Sequence, residues 1–172
     1  MENGRPNRAC IAIGSNIEPR AEHLHTGIRS LREKLAPNGS VVAVSRFLET
    51  NAVVLPGHAP GSPYLNGACV IETPRSPREL LALCLEIERS RGRDRHAEGR
   101  WGARTLDMDL LLFGAQVIHE PGLDIPHPRM LERRFVLEPL AEIAGDWLVP
   151  GTAKSVREHL DALEREQTGD GS

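Results

Sequence analysis

The chain has 172 residues, 40% of them hydrophobic, and a formal net charge of -3 from 21 basic and 24 acidic side chains. That near balance speaks against broad affinity for nucleic acid or anionic membranes, and no apolar run approaches the ~20 residues a bilayer-spanning helix needs. Cys10, Cys69 and Cys84 are odd in number and lack CxxC spacing, which predicts reduced core thiols rather than a disulfide framework. With no signal-peptide pattern at its start, the chain reads as one cytoplasmic, monomeric domain over residues 1–172.

The predicted elements follow in order. Ala9-Cys10-Ile11-Ala12-Ile13 is a short apolar run, read as a central first strand, with Gly14 allowing a tight exit and Ser15 or Asn16 tying the turn. Between Ala21 and Leu35, the positions Leu24, Ile28, Leu31 and Leu35 repeat at helical spacing, ending near Pro37-Asn38-Gly39. Val41 to Leu48 is a β-branched second strand. Residues 50–63, rich in proline and glycine, form a long loop of the kind that often serves as a lid over a site. Tyr64 to Thr73 is the third strand, with Tyr64, Asn66 and Ala68 on one face.

Ser76-Pro77-Arg78-Glu79 has the form of a capping box with proline at the first helical position. Leu80, Leu81, Cys84, Leu85, Ile87 and Glu88 carry that helix towards Gly92. An Arg-, His- and Gly-rich connector, 92–103, leads to a fourth strand over 105–113, then a turn at Gly114-Ala115-Gln116 and a short returning strand at Val117-Ile118. Ile125-Pro126-His127-Pro128 is an extended, rigid corner, because residues before proline avoid the helical region. Arg129 to Ile143 reads as a helix interrupted or loosely begun near Pro139, and Val156, Leu160 and Leu163 mark a last amphipathic helix. The order strand, helix, strand, strand, helix, strand predicts an α+β fold. Its plan is a ferredoxin-like βαββαβ core with an extra β-hairpin strand and additional C-terminal helices on the other side of the sheet.

Chemistry concentrates where the connector enters the fourth strand. Alternation along a strand puts Asp107 and Asp109 on one face, with Leu106 and Met108 on the other. Two close carboxylates repel, and a divalent cation such as Mg²⁺ relieves that repulsion while sharing phosphate oxygens and water. Arg89, Arg91, Arg93, Arg95, Arg100 and Arg104 supply guanidinium groups suited to polyphosphate. Taken singly, each feature has a plainer reading. An Asp-x-Asp pair also occurs as edge-strand charge, an arginine cluster as a solvated face, and Tyr64, Trp101 or Phe135 as core. It is the adjacency of acids and arginines that points to phosphoryl transfer.

Five stretches together carry a resemblance. They are Ile11-Ala12-Ile13-Gly14-Ser15-Asn16, Tyr64-Leu65-Asn66, Arg100-Trp101-Gly102-Ala103-Arg104-Thr105-Leu106-Asp107-Met108-Asp109, Pro126-His127-Pro128 and Arg133-Arg134-Phe135. The chain thereby resembles the 6-hydroxymethyl-7,8-dihydropterin pyrophosphokinases of folate biosynthesis. The resemblance implies transfer of the β,γ-pyrophosphate of ATP to the pterin hydroxymethyl oxygen, with release of AMP. It implies two Mg²⁺ ions on Asp107 and Asp109, and Arg93 and Arg104 as the arginines nearest the reacting phosphates. Glu88, Arg95, Trp101, Leu110, His127 and Arg133 match nucleotide contacts. Thr50, Val53, Tyr64, Asn66 and Phe135 match the pterin site, Tyr64 and Phe135 as rings sandwiching the heterocycle and Asn66 as its hydrogen-bonding partner. Three departures stand out: Asn51-Ala52 replace a usual proline pair, Gly122 stands about where a basic residue is common, and one extra residue lies between Glu88 and Gly92. The first bears on lid geometry, the second on nucleotide affinity. Two other readings remain at this stage: a non-catalytic nucleotide- or RNA-binding domain on the same plan, and an inactive paralogue.

Overall fold

The structure, a computed structural model, describes residues 6–51, 61–92 and 105–169. The chain runs through β1 (Asn7–Ser15), α1 (Arg20–Leu35), β2 (Ser40–Val44), β3 (Leu48–Thr50), β4 (Tyr64–Thr73), α2 (Pro77–Ser90) and β5 (Asp107–Phe113). It continues with β6 (Ile118–Glu120), β7 (Leu123–Ile125), a 3-10 turn (Met130–Glu132), α3 (Arg134–Ala144) and α4 (Val156–Gly169). The result is a mixed α/β fold. Its five-stranded sheet has the order β2-β4-β1-β5, β3 also pairs with β4, and every pairing is antiparallel.

The apolar runs decide which strands lie inside. β1 and β4 are covered on both faces, so they alternate little and read as nearly continuous hydrophobic stretches. On one face Ile11, Ile13, Cys69, Ile71, Met108 and Leu110 pack with Leu24, Ile28 and Leu31 of α1 and Leu80, Cys84 and Ile87 of α2. On the other, Cys10, Ala68, Val70 and Leu112 pack with Val136, Leu137 and Leu140 of α3 and Val156 and Leu160 of α4. The C-terminal helices therefore cover the second face, as the sequence predicts. Burial pushes the Cys10 and Cys69 thiols up to about 12 and raises Cys84 as well, and all three are free.

Several boundaries differ from expectation, each for a local reason. β1 does not leave the sheet at Gly14: the ladder to β4 runs from Asn7 opposite Thr73 to Ser15 opposite Leu65. The expected second strand breaks into β2 and β3. At the break the Ser45 hydroxyl accepts the Ala68 N–H at 2.9 Å and stands in for a ladder carbonyl. Val117-Ile118 does not return along β5; β6 pairs with β7, Ile118 opposite Ile125 and Glu120 opposite Leu123. Pro121 and Gly122 form that hairpin's turn, and Gly122 has φ 77°, the positive value a type II turn requires at that position. Pro139 lies inside an unbroken α3, and the interruption falls instead at Arg133, between the 3-10 turn and the helix. The Ser76–Glu79 capping box forms as predicted. A second reciprocal pair, Ser155 with Glu158, opens α4.

Candidate active site

β5 carries an irregularity that sets the site. Cys10 faces Leu112 and Ile11 faces Leu110, so Leu111 is an extra residue with no partner on β1. This bulge lets Leu111 and Leu112 both reach the α3/α4 core. Before the bulge, alternation puts Asp107 and Asp109 on that same side of the sheet. The Leu111 carbonyl accepts the His127 N–H at 2.9 Å, which draws the Ile125-Pro126-His127-Pro128 corner against β5.

Cross-strand partners share a face, and the register therefore builds the site row by row. Asp107 is opposite Gly14, and Gly14 is opposite Asn66; Asp109 is opposite Ala12, and Ala12 is opposite Ala68. Thr50 is opposite Tyr64 at the far edge. The two acids thus lie on the same face as Asn66 and Tyr64, separated from Asn66 by the width of β1, about 10 Å for two strand spacings. Small residues, Gly14, Ala12 and Ala68, make the floor between them. Asn66 Nδ2 donates to Thr50 Oγ1 at 2.8 Å, tying β4 to the last residue of β3. Arg20 joins the two ends of the intervening segment, contacting Glu49 at 2.8 Å and the Pro63 carbonyl at 3.1 Å.

The rim is cationic. Arg133 is the residue at the N-terminal boundary of α3, and its guanidinium lies 5.8 Å from the centre of the Phe135 ring. His127 is half-buried, and its Nδ1 accepts the Arg129 N–H at 3.2 Å, leaving the ring proton on Nε2 in that tautomer. Burial lowers the His127 pKa below its ordinary value. Arg133 and Arg129 act in the same direction, while Asp109 and Asp107 oppose them. His127 therefore senses both carboxylates and both arginines, and all five groups share one electrostatic neighbourhood.

The structure thus brings together Asp107, Asp109, His127, Arg133, Phe135, Asn66, Tyr64 and Thr50. Two other expected nucleotide contacts sit differently. Leu110 is 4% exposed and packs in the α1/α2 core on the opposite face from the acids. Glu88 is 1% exposed, and its Oε1 accepts the Met108 N–H at 2.7 Å. Its position beside Leu80, Cys84 and Ile87 on the buried side of α2 is the sequence signal for that inward role. Arg93, Arg95, Arg100, Trp101, Arg104 and Val53 lie outside the described residues, as does most of the expected lid, 52–60. Among the described residues no group of three or more His, Cys, Asp or Glu side chains is arranged as a metal cage. What is present is a carboxylate pair, and hard carboxylate oxygens that leave most positions to water and phosphate are the donor set Mg²⁺ takes.

A family model described as 7,8-dihydro-6-hydroxymethylpterin-pyrophosphokinase (HPPK) matches residues 10–145. The 2-amino-4-hydroxy-6-hydroxymethyldihydropteridine pyrophosphokinase of Bacillus subtilis is 45% identical over 137 residues, 80% of this chain and 78% of that protein. Its namesake from Haemophilus influenzae is 38% identical over 144 residues, 84% of this chain and 86% of the other. Among solved structures, wild-type Plasmodium falciparum HPPK-DHPS with pterin and p-hydroxybenzoate covers 99% of this chain with a TM-score of 0.71 at 14% identity. This chain spans 45% of that one, and at such identity the likeness concerns fold alone.

Proposed function

The chain belongs to the 7,8-dihydro-6-hydroxymethylpterin-pyrophosphokinase family, a transferase family of folate biosynthesis, and from that premise we propose that it moves the β,γ-pyrophosphate of ATP to 6-hydroxymethyl-7,8-dihydropterin. The hydroxymethyl oxygen attacks the β-phosphorus. A new O–P bond forms, the bond from that phosphorus to the bridging oxygen of the α-phosphate breaks, and AMP leaves with that oxygen. The hydroxymethyl proton is lost to the surrounding water.

One relationship carries the reading: Asp107 and Asp109 share a face of the sheet with Asn66 and Tyr64, across the small-residue floor of Gly14, Ala12 and Ala68. A triphosphate held at the acids and a flat heterocycle held at Asn66 then meet over β1. Asp107 and Asp109 would hold Mg²⁺, which neutralises charge along the triphosphate when bound. Arg133 would pair with phosphate oxygens, and Arg93 and Arg104 of the connector would serve the same triphosphate. His127, neutral on account of its burial, offers Nε2–H as a donor without adding a third cation beside Arg133 and Arg129. Tyr64 and Phe135 clasp the heterocycle, and Thr50 steadies Asn66. Little covalent work falls to the protein, so holding the two substrates in line is its main contribution.

The order β2-β4-β1-β5, with β2 and β3 as two halves of one edge strand, supports a ferredoxin-like βαββαβ plan. A single domain over 1–172, a monomeric state and a cytoplasmic location complete the proposal. No described helix is long and apolar enough to cross a membrane. The RNA-binding and inactive-paralogue alternatives gain nothing from the family match. Incubation with ATP, Mg²⁺ and the reduced hydroxymethylpterin tests the reading: AMP and the pterin diphosphate should form in equal amounts, and ADP in place of AMP would refute it.

A further inference from the structure

Gly14 stands at the centre of the row that joins the two halves of the site, with Asn66 its partner on β4 and Asp107 its partner on β5. Its backbone does not demand glycine. Among the described residues the glycines with positive φ are Gly92, Gly114, Gly122 and Gly151, and Gly14 lies in an extended strand whose neighbours Ile11 and Ile13 are β-branched. A glycine inside such a strand marks a place that something approaches closely. Here it is the Asn66 carboxamide: a Cβ built on Gly14 would lie 3.1 Å from Asn66 Oδ1. The other end of that amide is also fixed, because Nδ2 donates to Thr50 Oγ1 at 2.8 Å. Gly67, next along β4, differs in kind, since a Cβ there would meet the Phe47 ring at 2.9 Å on the core side.

We infer that Gly14 is a positioning residue for pterin specificity, keeping the Asn66 carboxamide flat across β1 so that it meets the heterocycle in one orientation only. The inference rests on the pterin reading above and deepens it. A carboxamide offers two N–H donors and an oxygen with two lone pairs. Thr50 takes one donor, which leaves an adjacent donor and acceptor. The 2-amino-4-hydroxypyrimidine edge presents donors and acceptors side by side, so it fits a fixed amide in one pose and not the reverse. A methyl group at position 14 displaces Oδ1 by a few tenths of an ångström. With Nδ2 tied to Thr50, the amide turns about that bond and its free edge tilts away from the substrate plane.

Steady-state kinetics on Gly14→Ala, Asn66→Ala and the double variant test this. Gly14→Ala should raise the pterin KM about tenfold, the scale of one misaligned recognition contact, while the ATP KM moves less than about twofold. On the Asn66→Ala background the added Gly14→Ala should change nothing further, since the amide it displaces is gone. A general structural defect would instead add its full penalty there, and that result would overturn the inference, as would an unchanged pterin KM in the single variant. Thr50→Val provides a second route should Gly14→Ala fold poorly. It frees the other end of the amide and should also raise the pterin KM, and no change would remove the two-ended fixing. Wild-type protein run alongside separates the levels. If it turns over no pterin, the reading of the site falls and the inference with it; if it does while Gly14→Ala matches it, only the inference falls.

Discussion

The Glu88 carboxylate, 1% exposed on α2, accepts the Met108 N–H at 2.7 Å. Met108 lies between Asp107 and Asp109, so a buried acid holds the peptide that joins the two acids of the site. This fixes where β5 begins and how its first carboxylates project. Glu88→Leu would fill similar volume and leave the Met108 N–H without that acceptor, a loss of about 1–3 kcal/mol. Glu88→Gln keeps a carbonyl oxygen in reach and should retain most of that stability. Urea denaturation of the two variants checks the difference, and AMP formation should fall more for Leu than for Gln.

Ser45 makes a comparable substitution for backbone at the other edge of the sheet. It is 6% exposed, its Oγ accepts the Ala68 N–H at 2.9 Å, and its own N–H donates to the Ala68 carbonyl at 3.0 Å. Ser45→Ala removes the side-chain acceptor in a place water does not reach easily. A buried amide left unmade costs about 1–3 kcal/mol. Amide hydrogen exchange should show Ala68 losing protection ahead of its neighbours on β4, and equal exchange in both proteins would deny the hydroxyl this role.

Some elements announce themselves in the sequence, and others do not. β4 was legible because Tyr64 to Thr73 is a long apolar run bounded by Pro63 and Pro74, and α2 because Ser76 and Glu79 state its start chemically. The break in β2–β3 was not, since a serine in a β-branched run looks the same whether its hydroxyl faces solvent or replaces a carbonyl. Nor was the Leu111 bulge, because Leu110-Leu111-Leu112-Phe113 is uniformly apolar and carries no alternation to lose. The Pro121-Gly122 turn had its signal in plain view: that dipeptide favours a type II turn whatever ligand a basic residue there would have met. On the site, alternation alone put Asp107 and Asp109 on a common face, and Tyr64 with Asn66 on another strand's face. Only the register of β1 makes those two faces one.

Asp107→Asn and Asp109→Asn separate charge from shape. Each keeps the side-chain volume and removes one negative charge from the carboxylate pair proposed to hold Mg²⁺. Turnover should drop about 10²- to 10³-fold for either, the range seen when one well-placed electrostatic group is removed. Thermal melting of each variant in the absence of nucleotide reports whether the fold persists. AMP formation across a Mg²⁺ titration, set beside the melts, makes the comparison. Near-normal turnover by both variants would contradict the carboxylate pair as the triphosphate end of the site.

His127 makes stability depend on pH in a calculable direction. Burial, then Arg133 and Arg129, lower its pKa below the ordinary 6.5, against the opposing pull of Asp109 and Asp107. His159 is lowered too, chiefly by burial and then by Lys154. For a group depressed in this way the unfolded chain binds the proton first as pH falls. Between the unfolded value near 6.5 and the lower folded value, unfolding therefore takes up protons and stability declines with acidity. Above 6.5 the contribution is fully present; below the folded value it is fully lost. His127→Gln cannot titrate, so its urea midpoint should fall less than the wild-type midpoint as pH drops below 6.5, with His159 accounting for part of the slope that remains. If both proteins lose stability in parallel through that window, His127 is not held neutral by its surroundings, and its Nε2–H is not the donor assigned to it.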